Sequence, residues 1–122
     1  MKLLLVDDEP EILNFLQKTI EDKFKCQIER AESGLDAFIK CQDNIFDFII
    51  TDYKMPFMTG AALVMALKTR NNVNSDTHCL ILTAYLTKDL KEQLNVDRVQ
   101  FLSKPIQLDQ LFEIIGPFFE LR

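Results

Sequence analysis

Phe46-Asp47-Phe48-Ile49-Ile50-Thr51-Asp52-Tyr53-Lys54-Met55-Pro56 is an apolar run that stops abruptly on a carboxylate. Phe48, Ile49 and Ile50 are aromatic or β-branched, the run is short, and Pro56 and Gly60 close it. It therefore reads as a strand buried on both faces. Asp52 then lies at the C-terminal end of that strand, the edge of an open α/β sheet where ligands and chemistry collect. Aspartate is also a common turn residue, so a cap for the helix that starts near Gly60 is the alternative role. The rest of the chain decides between the two.

Working outward, Lys2 to Val6 is a short apolar strand followed at once by Asp7-Asp8-Glu9. Pro10 suits the first turn of a helix, where its missing N–H costs nothing. Ile12, Leu13, Phe15, Leu16, Thr19, Ile20 and Phe24 then recur at helical spacing as one apolar stripe. Cys26 to Ala31 reads as a second strand. Ser33 with Asp36 makes a capping-box-like start for a helix to about Cys41. After the organising strand, Gly60 opens a run of good helix formers through Lys68, and Asn71 to Thr77 is a polar connector. His78 to Thr83 is a fourth apolar strand, Thr87 caps a short helix to about Leu94, and Val99 to Ser103 is a fifth strand ending on Lys104-Pro105. The last helix carries Leu108, Leu111, Phe112, Ile114 and Ile115, and Gly116-Pro117 must break it. Phe118 and Phe119 beyond the break are expected to pack rather than form a contact surface.

Five strand–helix pairs with short apolar strands call for a doubly wound α/β fold, a five-stranded parallel sheet with helices on both faces. The 122 residues suit one domain, residues 1–122. With 48% hydrophobic and 27% charged residues the composition is that of a globular protein, and the net charge of -5 argues against a general binder of nucleic acid or anionic membranes. No apolar run approaches a membrane span, and nothing suggests export, so a cytoplasmic protein is expected. Cys26, Cys41 and Cys79 are scattered and odd in number, which implies neither a disulfide framework nor a zinc site. His78 is the only histidine, so it is read as a structural residue at a strand start.

Placed on this scaffold, the polar residues converge. Asp7 and Asp8 end the first strand, Asp52 the third, Thr83 the fourth and Lys104 the fifth, all at one edge of one sheet. Three gathered carboxylates repel one another unless a cation joins them. Oxygen donors without thiolate or imidazole select Mg²⁺ (or Mn²⁺). An aspartate can also act as a nucleophile toward phosphorus, and a hydroxyl, an ammonium and a metal ion would meet the charge on the three equatorial oxygens of a transferring phosphoryl group.

These residues resemble the receiver domains of two-component response regulators. The resemblance rests on Asp7-Asp8, Asp52-Tyr53-Lys54-Met55-Pro56 with Gly60, Thr83-Ala84 and Lys104-Pro105, in that order, and covers Met1 to about Phe119. It implies a flavodoxin-like (βα)5 fold of strand order 2-1-3-4-5, and a phosphorylation-controlled switch in place of an enzyme with its own substrate. Asp52 would be the phosphoacceptor, charged by a sensor histidine kinase or a histidine phosphotransfer protein. Asp7 or Asp8, Asp52 and the main-chain carbonyl of Lys54 would hold Mg²⁺. Lys104 would pair with the phosphoryl group, with a cis Lys104-Pro105 bond. Thr83 and Phe101 would carry the switch to the face made by the fourth helix, fifth strand and last helix, where a downstream protein target or a second copy would bind. Neither nucleic acid nor a membrane is an expected partner of this chain.

The sequence departs from the family pattern at three places. Asn95-Val96-Asp97 replaces the usual Gly-Ala before the fifth strand, Phe101 has no hydroxyl, and Thr59 stands where an acid is common. Lys54 and Tyr85, two residues beyond Asp52 and Thr83, border the path of a water that would hydrolyse an acyl phosphate. Three rival readings are weaker. A haloacid-dehalogenase-type phosphatase needs a second aspartate two residues after the nucleophile. A flavodoxin-like carrier needs a phosphate-cradling first loop, where this one presents three acids. A silent binding module has no use for the complete acid, threonine and lysine set.

Overall fold

The computed structural model describes the whole chain, Met1–Arg122. Strands β1 (Lys2–Val6), β2 (Gln27–Ala31), β3 (Phe48–Asp52), β4 (His78–Thr83) and β5 (Val99–Ser103) alternate with helices α1 (Pro10–Lys23), α2 (Gly34–Asp43), α3 (Gly60–Leu67), α4 (Lys88–Gln93) and α5 (Leu108–Ile115). The sheet runs β2-β1-β3-β4-β5 with every neighbouring pair parallel. This is the 2-1-3-4-5 doubly wound order, whose reversal beside β1 opens a crevice between β1 and β3.

All five β3 residues are buried, as are Leu3 to Val6 and Cys79 to Thr83. Their side chains alternate between two cores. Leu4, Ile49 and Ile81 face α2, α3 and α4. Leu5, Ile50 and Leu82 face α1 and α5. Helices on both faces explain why these strands are apolar throughout instead of alternating with polar residues.

Short polar signals set the helix starts. Ser33 Oγ accepts from Asp36 N at 3.0 Å, and the Asp36 carboxylate reaches back to Glu32 N at 3.4 Å. Thr87 Oγ1 accepts from Leu90 N at 3.1 Å. Thr59, the departure from the acid usual there, accepts from Ala62 N at 3.1 Å and caps α3. Its hydroxyl satisfies one of the helix's free N–H groups.

The expected elements are corrected in several places. Phe24 belongs to no helix stripe: α1 ends at Lys23, and Phe24 is extended, its buried ring 5.7 Å from Phe112 and 6.5 Å from Phe119. Phe15 is exposed, because Leu13, Leu16 and Ile20 define the buried face and Phe15 points away from it. The second strand starts at Gln27, and Phe24–Lys25 instead pair antiparallel with Glu120–Leu121 as a small separate ribbon. Gly116-Pro117 does end α5, in a 3-10 turn over Gly116–Phe118. Phe119 is buried, and Phe118 packs 5.0 Å from Phe48 and 4.6 Å from His78. His78 thus sits in an aromatic cluster at the start of β4, where burial holds its pKa below the usual histidine value. All three cysteines are free, with Cys41 and Cys79 buried.

The polar connector hides a buried centre. Asn74 is fully buried; its Oδ1 accepts from Phe46 N at 2.9 Å, and its Nδ2 donates to the Cys41 and Asn44 carbonyls at 2.9 and 2.8 Å. One amide therefore ties the end of α2 and the approach to β3 to the α3–β4 connection, with every polar atom satisfied.

Candidate phosphoacceptor and metal site

Each of the five polar side chains singled out in the sequence, Asp8 included, lies within two residues of a strand's C-terminal end. Asp7 follows β1, Asp52 ends β3, Thr83 ends β4 and Lys104 follows β5. Asp7, Asp52 and Thr83 are buried, whereas Asp8 is exposed. Carboxylate oxygens of Asp7, Asp8 and Asp52 lie within 4.8 Å of one another. Lys104 Nζ stands 2.6 Å from Asp52 Oδ1. Asp52 lines an open cavity of about 270 Å³ together with Glu9, Lys54, Thr83, Tyr85 and Lys104.

Backbone pairing holds these groups in place. Tyr53 N donates to Leu82 O, and Lys104 N to Thr83 O, each at 2.8 Å, so the ends of β3, β4 and β5 are laced beyond the regular ladder. Thr83 Oγ1 accepts from Tyr85 N at 3.3 Å. The Lys104–Pro105 peptide is cis. Gly60 comes so close that a Cβ there would lie 2.2 Å from the Asp52 carbonyl oxygen, while Gly60 N donates to Tyr53 O at 2.8 Å. Only a residue without a side chain permits this approach.

The electrostatics are those of a site short of positive charge. Asp7 Oδ1 accepts from Glu9 N at 2.9 Å, but Oδ2 is buried with no partner. Burial pushes the Asp7 carboxyl up to about 6; the Glu9 N–H opposes this, the Asp52 charge adds to it, Lys104 opposes it and Asp8 adds to it. A buried, unsatisfied carboxylate oxygen facing two other acids is the signature expected of a hard-cation position. No sulfur or imidazole lies in the cluster, so the donor set fits Mg²⁺ or Mn²⁺ and not zinc.

Two residues with implied roles stand apart from this cluster. Phe101 is half-buried on β5, in register with Ile81, and packs against the core shared with α2, α3 and α4. Tyr85 lines the cavity with most of its side chain in solvent. Glu9 lines the cavity and Gly60 packs against the Asp52 backbone, two placements that sequence reasoning did not foresee. Glu9 lines the cavity without capping α1, and its position directly after Asp7-Asp8 was the available signal. Gly60 was read as closing the β3 run, opening a helix and belonging to the family motif, without its close approach to the Asp52 carbonyl.

A doubly wound sheet with acids, a hydroxyl and a lysine at its switch edge can bind a divalent cation and present a carboxylate to an electrophile. The chain belongs to the response regulator receiver domain family, whose model matches residues 3–116. It is 31% identical over 122 residues to the response regulator protein PilR of Pseudomonas aeruginosa, an alignment covering 99% of this chain and 26% of that protein. It is 28% identical over 121 residues to chemotaxis protein CheY of the same organism, covering 98% of this chain and 97% of CheY. Among solved structures, chemotaxis protein CheY4 of Vibrio cholerae superposes with a TM-score of 0.85 at 30% identity, covering 96% of this chain and 97% of that one. The chain spans about a quarter of the length of the first curated relatives it matches. It is thus a two-component signalling switch, of a family that accepts phosphoryl groups and is not a classical enzyme family. No helix is long and apolar enough to cross a membrane.

Proposed function

We propose that Asp52 accepts a phosphoryl group from a phosphohistidine of a sensor histidine kinase or a histidine phosphotransfer protein. The observation that carries this reading is the buried Asp52 carboxylate, 2.6 Å from the Lys104 ammonium and ringed by two further acids at the sheet's switch edge. One Asp52 oxygen attacks phosphorus and the bond to the donor's imidazole nitrogen breaks. Lys104 holds one phosphoryl oxygen, and the Thr83 hydroxyl turns from its Tyr85 N–H contact to donate to another. Asp7, Asp8, Asp52 and the Lys54 main-chain carbonyl would hold Mg²⁺, which when bound neutralises charge on the transferring group.

The domain, spanning residues 1–122, works in the cytoplasm. Its output follows from Thr83 movement and repacking of the half-buried Phe101, a change by packing because Phe101 has no hydroxyl. The face formed by α4, β5 and α5 then alters its affinity for a protein target or a second copy. Phosphorylation must favour the active arrangement by several kcal/mol to move most of the population. The chain promotes only its own phosphoryl transfer and hydrolysis.

The test is intact mass after incubation with acetyl phosphate. One phosphoryl adduct is expected with Mg²⁺, and none with EDTA or in Asp52→Asn. An adduct of equal yield in Asp52→Asn would refute the assignment.

A further inference from the structure

The geometry points to Phe57 as an apolar anchor for the protein that delivers the phosphoryl group, an inference that rests on the phosphoacceptor reading above. Phe57 lies between β3 and α3 with φ at 67°, and Met58 N donates to Pro56 O at 2.8 Å, closing a three-residue γ-turn around it. Left-handed backbone disfavours any residue with a Cβ, and glycine or asparagine adopts it at lower cost. A phenylalanine there is a genuine outlier.

The fold gives that ring nothing in return. Phe57 is fully exposed and belongs to neither core. Its neighbour Met58 does the loop's packing, against the first core and against Gly34 at the start of α2. A bulky side chain held in strained backbone and in water is the pattern of a functional contact.

Position selects the occupant. Asp52 is recessed in its cavity, so a protein donor must cover the mouth to reach it. Lys54 lines that mouth, and Phe57 stands three residues further along the same loop. A donor face lying over Lys54 is therefore brought to the stretch of loop that carries the exposed Phe57. Exposed Asp8, Glu9 and Glu32 share this edge of the sheet, Glu32 directly following the end of β2. The matching donor surface is an apolar socket with basic residues on the side facing Asp8, Glu9 and Glu32 and none opposite the exposed Lys54, an arrangement that lets an aromatic anchor contribute to affinity and surrounding charge to orientation.

Phosphotransfer profiling tests this with the full chain and the purified sensor kinases and phosphotransfer proteins of its own source organism, each phosphorylated on histidine. With the fastest donor, Phe57→Asn is expected to lower the transfer rate roughly tenfold, as loss of an aromatic anchor does, and Phe57→Leu to restore much of it. Acetyl phosphate, which needs no docking face, should label wild type and Phe57→Asn at rates within about twofold. Equal donor rates for wild type and Phe57→Asn overturn the anchor alone. So does a wild-type chain labelled by acetyl phosphate but by none of the protein donors. Absence of label from either source refutes the phosphoacceptor reading and this inference with it.

Discussion

Gly60→Ala is the single change that most sharply tests how the fold holds Asp52. The added Cβ would lie 2.2 Å from the Asp52 carbonyl oxygen, 3.0 Å from its carbon and 3.1 Å from Thr51 Cγ2. Carbon–oxygen contacts normally stay beyond about 3.3 Å, so roughly 1 Å of movement is required. Neither side yields easily. Gly60 N is bonded to Tyr53 O at 2.8 Å, Tyr53 N to Leu82 O at 2.8 Å, and Asp52 is paired with Leu82 in the ladder. The clash is with backbone, so no side chain can rotate out of the way.

Overpacking of this kind costs about 1–3 kcal/mol, and alanine's better helix propensity offsets less than about 1 kcal/mol of it. The net loss should lower Tm by roughly 5–10 °C. Function should suffer more than stability. A shift of about 1 Å in a reacting group can cost on the order of 10²-fold in rate, and Asp52 would move relative to Lys104 and the other acids. The assay is thermal unfolding alongside Mg²⁺-dependent labelling by acetyl phosphate, followed by intact mass. A variant with Tm within about 1 °C and a rate within about twofold of wild type would refute the argument, since both margins fall well inside the expected losses.

Other perturbations reach separate parts of the account. The folded-state pKa of Asp7 lies above its ordinary 3.8, at about 6. Its stability contribution is therefore fully present below pH 4 and lost as pH rises through 6, and metal-free protein should weaken across that window by less than about 3 kcal/mol after solvent screening. Urea unfolding should show Mg²⁺ restoring most of that loss and Asp7→Asn flattening the profile; an unchanged slope in Asp7→Asn would remove Asp7 as its source. Asn74→Ala strands the buried Phe46 N–H and two carbonyls, so urea unfolding should report a loss of about 3–5 kcal/mol with labelling kinetics intact. A loss under about 1 kcal/mol would mean those groups find other partners. Tyr85→Ala opens the solvent side of the cavity and should speed phosphate release from the phosphorylated chain several-fold by colorimetric assay, whereas an unchanged rate takes Tyr85 out of the water's path.

The sheet was legible because buried parallel strands leave a strong mark: four short apolar runs, each ending on or beside an acid, a hydroxyl or a lysine, with the more polar Gln27–Ala31 at the sheet's edge. That same coincidence made the crevice readable, since strand ends at one edge must meet in space. Asn74 was not legible. In Asn71 to Thr77 a buried, fully bonded amide has the same composition as a solvated turn, and only the three backbone groups it meets distinguish them. Phe24 was misassigned for a related reason. Its spacing fits the α1 stripe, but pairing with Leu121, a partner nearly a hundred residues away, draws its backbone into an extended form. Gly60 was placed correctly at a helix start, yet its close approach to Asp52 depends on loop geometry that no periodicity encodes. Phe57 and Arg98, with φ of 67° and 64°, likewise occupy backbone conformations their residue types give no reason to expect.

The central claim is that phosphorylation falls on Asp52 and on no other acid of the cluster. Reduction of the acetyl-phosphate-treated chain with borohydride converts an aspartyl phosphate to homoserine, and tandem mass spectrometry of the peptides locates it. The account predicts homoserine at residue 52 alone, formed only when Mg²⁺ was present during labelling. Homoserine at residue 7 or 8, or at 52 in equal yield without Mg²⁺, would contradict it.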